Sequence, residues 1–317
     1  MSDPNSNAPQ LSLSASAARN LATATLTVPQ MQAITPRWLH KLLPWVDVDG
    51  GVYRVNHVLK KEDGTEQEIA HLTVDTGEPQ LPTTFADYEE DPREYHLSTI
   101  QTVLHTHTRV TDLYSNVIDQ LREQVRLVVE AVKEREEWEL INHPKFGLLH
   151  EVVPSQRINA RKGTPTPDDF DELLTLVWKK PAFFLAHPKT IAAFGREATR
   201  RGVPPATVSI FGSQFVTWRG IPIVPTNKLS ITADGQTSVL LLRVGESQQG
   251  VVGLQKAGVT GELEPGLSVR YMGTNENSIA SHLVTRYFSA AVLTEDAIAR
   301  LDNVSVNFYH EYVYPTA

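Results

Sequence analysis

DLYSNVIDQLREQVRLVVEAVKEREEWELIN, residues 112–142, sets the reading of the whole chain. Its apolar residues Leu113, Val117, Leu121, Val125, Val128 and Val132 follow one another in steps of four, four, four, three and four. That period predicts a helix with one apolar stripe. Arg122, Glu123, Arg126, Glu130, Lys133, Glu134 and Arg135 leave the other faces charged. Asp112 or Thr111 suits the N-cap, and His143-Pro144 stops the run. At ~1.5 Å per residue the rod would be roughly 46 Å long, more than most globular domains require. A core helix of an ordinary α/β enzyme is the plain alternative, and the flanking segments argue against it.

Upstream, residues 1–10 are polar with Pro4 and Pro9 and read as a disordered tip, and the Ala/Ser/Thr-rich stretch 11–27 reads as a short helix. ITPRWLHKLLPWV at 34–46 carries Trp38, Leu42 and Trp45, too apolar for water and too short for a core of its own. Such an arm needs a second surface, its own body or a neighbour's. Residues 51–60 and 67–74 read as two strands joined at Asp63-Gly64, a hairpin that cannot stand alone. Residues 93–110 read as a further strand feeding the long helix.

Downstream, Thr166-Pro167-Asp168-Asp169 predicts a capped helix start, with Phe170, Leu173, Leu174, Val177 and Trp178 on its apolar face. PAFFLAHP predicts a buried strand, and 188–201 a helix stopped by Gly202. Strands follow over 207–224, broken at Gly212 and Arg219-Gly220, then in SVLLLRVG, QGVVGLQ and LSVRYMG. Asn275 opens an expected helix to about Val292, with Ile279, Leu283 and Tyr287 on one side. Thr294 caps an expected short last helix, and VSVNFYHEYVY closes as a strand.

The 317 residues include no cysteine, which removes disulfides, thiolate metal sites and cysteine nucleophiles and is compatible with the cytoplasm. The N-terminus lacks the features of a secretory signal, and no apolar run reaches the ~18 residues of a membrane span. A net charge of −8, with basic residues only in pairs, argues against nucleic acid as a partner. His105-Thr106-His107 puts two imidazoles on one strand face, so a metal-dependent hydrolase using His105 and His107 is the enzyme alternative; no third ligand is evident. Phosphate loops, nucleophile elbows and cofactor motifs are missing. Glu134, Glu136, Glu137 and Glu139 point in different directions on a helix and read as a solvated, partly salt-bridged end. No catalytic, cofactor or metal residue is assigned. A chain this large without a legible active site suggests binding or building.

The order of elements resembles the tailed-phage (Hong Kong type) major capsid fold, an α+β architecture. In its vocabulary residues 1–48 correspond to the N-arm, 49–92 to the E-loop and 93–181 to the P-domain with its spine helix 112–142. Residues 182–262 correspond to the A-domain, and 263–317 to the return into the P-domain with a C-terminal helix and strands. Glu139-Leu140-Ile141-Asn142 followed by Gly147-Leu148-Leu149, and Gly220-Ile221-Pro222-Ile223-Val224-Pro225-Thr226, are similar to local capsid motifs. ITPRWL at 34–39, VYRVN at 52–56, PAFFLAHP, AAFGREATRRGVPP, TWRGIP, LLLRVGESQQGVVGL and GLSVRYMG resemble encapsulin nanocompartment shell proteins, family two, subtype A. Subtype B carries an inserted cyclic-nucleotide-binding-like domain, for which no stretch here has room.

The resemblance implies a cytoplasmic, icosahedral homo-oligomeric shell around a cargo enzyme. For this subtype the cargo is typically a cysteine desulfurase of sulfur metabolism, targeted through its own disordered extension. It implies inter-subunit arm contacts at Trp38, Leu42 and Trp45. Arg196, Arg200 and Arg201 become candidates for a pore rim, with salt bridging as their alternative role. A phage-derived capsid-like protein holding a genome or a different cargo is the second reading within the fold.

Overall fold

The computed structural model describes residue 16 and residues 28–59, 61, 65–73, 80–107 and 119–309. The polar tip 1–10, nearly all of the helix expected at 11–27, and the strand-to-helix junction 108–118 lie outside the described residues.

The chain forms two large sheets and a two-stranded ladder, and the arm and the end of the long helix share one core with Phe183 and Leu185 of the larger sheet. A six-stranded sheet takes β1 (Trp45–Asp47), β4 (Ser98–His107), β11 (Val251–Gln255), β12 (Glu262–Glu264), β13 (Leu267–Thr274) and β14 (Ile279–Val292). A seven-stranded sheet runs in the order β5 (Arg157–Asn159), β15 (Ile298–Ser305), β10 (Gln236–Leu242), β6 (Phe183–Ala186), β9 (Ile221–Pro225), β8 (Ser213–Trp218), β7 (Ala206–Ile210). A separate two-stranded ladder joins β2 (Val52–Val55) to β3 (Arg93–His96). This is the α+β architecture expected. No helix among the described residues is long and apolar enough to cross a membrane.

The strand β6 shows how the seven-stranded sheet is covered. Phe184 and Ala186 face a core with Phe170 and Leu173 of α4 (Pro167–Leu176), Val177 just past its end, and Phe194 and Ala198 of α5 (Pro188–Arg200). Phe183 and Leu185 face the opposite core, closed by α1 (Trp38–Leu42), the end of α2 (Gln120–Asn142) and Leu148 of α3 (Leu148–Glu151). Both sides are apolar, so the strand reads as an unbroken hydrophobic run. The expected capping box at Thr166 and Asp169 is present. So is the stop of α5, where Gly202 adopts φ +77° and Val203 N–H reaches Ala198 O at 3.0 Å.

Several expectations are corrected. The spine helix begins at Gln120, capped by Asp119, whose side chain accepts from Arg122 N–H; its 23 residues span about 35 Å instead of 46 Å. Its buried residues are Val129, Val132, Glu136, Glu137, Leu140 and Ile141; of the expected stripe, Val132 is buried and Val125 and Val128 are half-buried against the same cluster. Strand β2 pairs with β3, not with residues 67–74, of which the described 67–73 form no strand. Trp178 lies past the end of α4 and is 70% exposed.

The largest error concerns 275–292, expected as a helix. Residues 275–278 form a turn in which Asn275 Oδ1 accepts from Asn277 and Ile279 N–H, and β14 follows, paired with β13, β4 and β11. From Val284 to Val292 nearly every residue is buried, on both faces, so period-two alternation is erased and the four-residue spacing of Ile279, Leu283 and Tyr287 misleads. Thr294 is followed by a single 3-10 turn, Glu295–Ala297. Its hydroxyl bonds Gln249 O and Asp296 Oδ1 without capping that turn. The closing strand is Ile298–Ser305, earlier than expected; residues 306–309 are irregular and 310–317 lie outside the described residues.

Candidate assembly interface

Three parts of the chain reach out from the two sheets: the arm, the acidic face of α2, and the β2–β3 hairpin. The sequence left open whether the arm lies on its own body, and the described part does. Thr35 donates to Glu134 from its N–H (2.7 Å) and its hydroxyl (3.0 Å). Arg37 Nη1 pairs with Glu130 at 2.5 Å and Glu134 at 3.2 Å, and Leu39 N–H donates to Glu137 Oε1 at 3.0 Å. Lys228 Nζ completes the shell around Glu134 at 2.5 Å. Trp38, 8% exposed, meets Phe215 edge-on at 5.0 Å. Trp45 opens β1, parallel to β11, and its ring lies against Gly253, where an added Cβ would stand 2.7 Å from Cε3. Of the three residues expected at inter-subunit contacts, Trp38 is consumed within the chain, while Leu42 and Trp45 are half-buried against the same core.

The acidic end of the spine corrects the sequence reading. Glu136 is fully buried and Glu137 is 2% exposed; neither belongs to a solvated end. Arg286 of β14, 150 residues further along, meets Glu136 at 2.7 Å, while the second Glu136 oxygen is buried without a hydrogen bond. Burial pushes Glu136 up despite Arg286 and Lys133, and it pushes Glu137 up to about 7 against the Leu39 N–H and Lys228. For Glu134 burial is outweighed by the hydrogen bonds from Lys228 and Thr35, which hold it below the usual carboxylate range. His40 is lowered to about 4 by burial and then by Arg286, Lys133 and Arg37, with Glu264 opposing.

These shifts have a sign. Glu137 has a raised folded pKa, so its stabilising share is full below the unfolded value and is lost as pH rises through about 7. His40 and Glu134 act the other way, and their shares are lost as pH falls, for His40 through about 4. Maximum stability is therefore expected at weakly acid pH. Glu137→Gln should flatten the alkaline limb, whose part between about pH 6 and about pH 8 amounts to on the order of 1 kcal/mol. Urea midpoints of both proteins at about pH 6 and about pH 8 check this; equal slopes would refute it.

The hairpin root is held by apolar and polar contacts. Val55 and Tyr95 pack with Val48, Val252, Leu254, Ala291 and Leu293. Beyond the root, Glu89 N–H bonds His57 O and Leu59 N–H bonds Asp87 O, so the two arms of the hairpin run together outward. There Ile69, Leu72, Leu81, Phe85 and Tyr88 are exposed, Phe85 by 86%.

The candidate pore arginines all have partners in the chain. Arg196 donates to Val306 O and Phe308 O and lies 4.2 Å from the Tyr309 ring centroid. Arg200 pairs with Glu197 at 2.9 Å and Arg201 with Asp168 at 2.8 Å. His105 and His107 share a face of β4, but His105 bonds Ser281 at 3.0 Å, and no group of three or more metal-ligating side chains exists among the described residues.

Comparison with known proteins places this geometry. Residues 54–308 match the family of SrpI-like type 2A encapsulin shell proteins. The type 2A encapsulin shell protein SrpI of Synechococcus elongatus is 58% identical over 308 residues, 97% of this chain and 99% of that protein. The cryo-EM structure of the holo-SrpI encapsulin complex from that organism superposes with TM-score 0.82 at 56% identity, covering 96% of this chain and 100% of the other. The capsid of an empty GTA particle matches with TM-score 0.60 at 12% identity, over 88% of this chain and 93% of its own, a likeness of fold alone.

Proposed function

The chain belongs to the family of type 2A encapsulin shell proteins, and from that premise we propose that it assembles with copies of itself into a closed icosahedral shell in the cytoplasm, around an enzyme cargo. The carrying observation is the E-loop. Residues 59–88 expose Leu59, Ile69, Leu72, Leu81, Phe85 and Tyr88, and those described among them form no sheet that could cover these side chains. A row of large apolar residues on a two-stranded projection marks an interaction surface. In a closed assembly each such contact, burying ~1,200–2,000 Å², is repeated at every symmetry-related position. The half-buried faces of Leu42 and Trp45 are the arm's contribution.

For the cargo we propose a cysteine desulfurase, bound through a disordered extension of its own, which would tie the shell to sulfur metabolism. The support is the family resemblance. Negative-stain microscopy of the purified chain should show uniform closed particles. Co-expression with such an enzyme should give particles that retain it by mass spectrometry, with no nucleic-acid absorbance. A monomer under native conditions would overturn the shell reading. Particles that exclude the full-length enzyme would overturn the cargo alone.

A further inference from the structure

The E-loop leaves the body at two adjacent points, Gly51 and Leu97, tied to each other by Leu97 N–H to Gly51 O at 3.0 Å. Its ladder β2–β3 shares no backbone hydrogen bond with either large sheet within the named strands, so the angle at which it projects is set by side chains. Two polar attachments are available. Tyr53 donates to Glu246 at 2.7 Å, but this contact is exposed and of little energetic weight. Glu151 is different: its side chain is only 6% exposed, although that of Arg93 is 48% exposed, and one oxygen takes Arg93 Nη2 at 2.6 Å and the Tyr95 hydroxyl at 3.2 Å. That hydroxyl also lies 3.0 Å from Val292 O and accepts from Val292 N–H at 3.3 Å. Tyr95 thus occupies the backbone groups of the last residue of β14, beyond the point where β4 leaves it. In the elbow between this root and the end of the spine lies a cavity of about 380 Å³, lined by Tyr95, His96, Leu97, His143 and Phe146, so packing does not block a tilt there.

We propose that Glu151 is the positioning residue that fixes the E-loop angle, and through it the curvature at which shells close. This rests on the assembly reading above. A charge-assisted hydrogen bond to a nearly buried carboxylate, shared with the Tyr95 hydroxyl, resists displacement better than the exposed Tyr53 contact, and a small angular error at each root accumulates around a closed surface.

The test compares wild type, Glu151→Ala, Glu151→Gln, Tyr95→Phe and the exchanged pair Arg93→Glu with Glu151→Arg. Particle diameters are measured by microscopy, and thermal midpoints report folding. Wild type should give one diameter class. The single variants should give a second class or open fragments, and the exchanged pair should restore a single class. Wild-type diameters in both Glu151→Gln and Tyr95→Phe would overturn the proposal, as would a lowered midpoint with unchanged diameters. These two mild variants carry the test if Glu151→Ala fails to fold. Failure of wild type to form particles would instead count against the assembly reading.

Discussion

Arg286→Ala is expected to cost about 3–5 kcal/mol of folding stability. The side chains of Arg286 and Glu136 are 4% and 0% exposed and pair at 2.7 Å. Truncating the arginine strands a carboxylate in the core beside α2, with one oxygen already without a hydrogen bond. The lost pairing matters less than the charge left behind, because its desolvation is no longer offset. Two controls separate these effects. Arg286→Met with Glu136→Gln removes both charges and should recover most of the loss. Lowering the pH should also relieve the single variant, since burial already pushes Glu136 up and protonation removes the stranded charge. Urea unfolding of the three proteins measures this; a loss below about 1 kcal/mol would mean that solvent reaches Glu136 in the variant.

Replacing residues 60–86 with Asn-Gly should abolish particles while leaving a folded monomer. Leu59 N–H already bonds Asp87 O, and Val58 bridges Tyr88, so a two-residue type I′ turn fits the register where the loop is cut. The root stays anchored by Val55 and Tyr95 in their cluster, which lies within residues 46–55, 95–97 and 252–293. The thermal midpoint should therefore change little while the sedimentation profile collapses to that of a single chain. Intact particles would show that the exposed apolar residues between 59 and 88 are dispensable, and would leave assembly to Leu42 and Trp45. A milder Phe85→Asp should shift assembly to higher protein concentration, because a charge at a residue 86% exposed is tolerated by the monomer but not by an apolar contact.

Local chemistry was legible along the chain. Thr166 and Asp169 cap α4, Gly202 ends α5, and Gly212 and Gly220 break the strands, as their sequence positions indicate. The resemblance carried by PAFFLAHP, TWRGIP and LLLRVGESQQGVVGL led to the family that residues 54–308 match. The failures share one cause. In the sequence β14 reads as a helix because burial on both faces leaves no alternation to read, and its strand character comes from β4, β11 and β13. In the sequence Glu136 and Glu137 read as a wet surface because their partners, Arg286 and the Leu39 N–H, are about a hundred residues or more away.

The sequence by itself determined where helices are capped and stopped, where strands break, and which family the chain resembles, since those depend on residues within a few positions of one another or on long stretches read whole. Only the tertiary structure decided that the arm from Thr35 to Asp47 is clipped to its own body while Ile69, Leu72, Leu81, Phe85 and Tyr88 are left uncovered. Composition cannot separate the two segments, because both are apolar and short. The difference is made by carboxylates on one face of α2 and by a glycine under Trp45, groups that meet the arm only after the chain has folded.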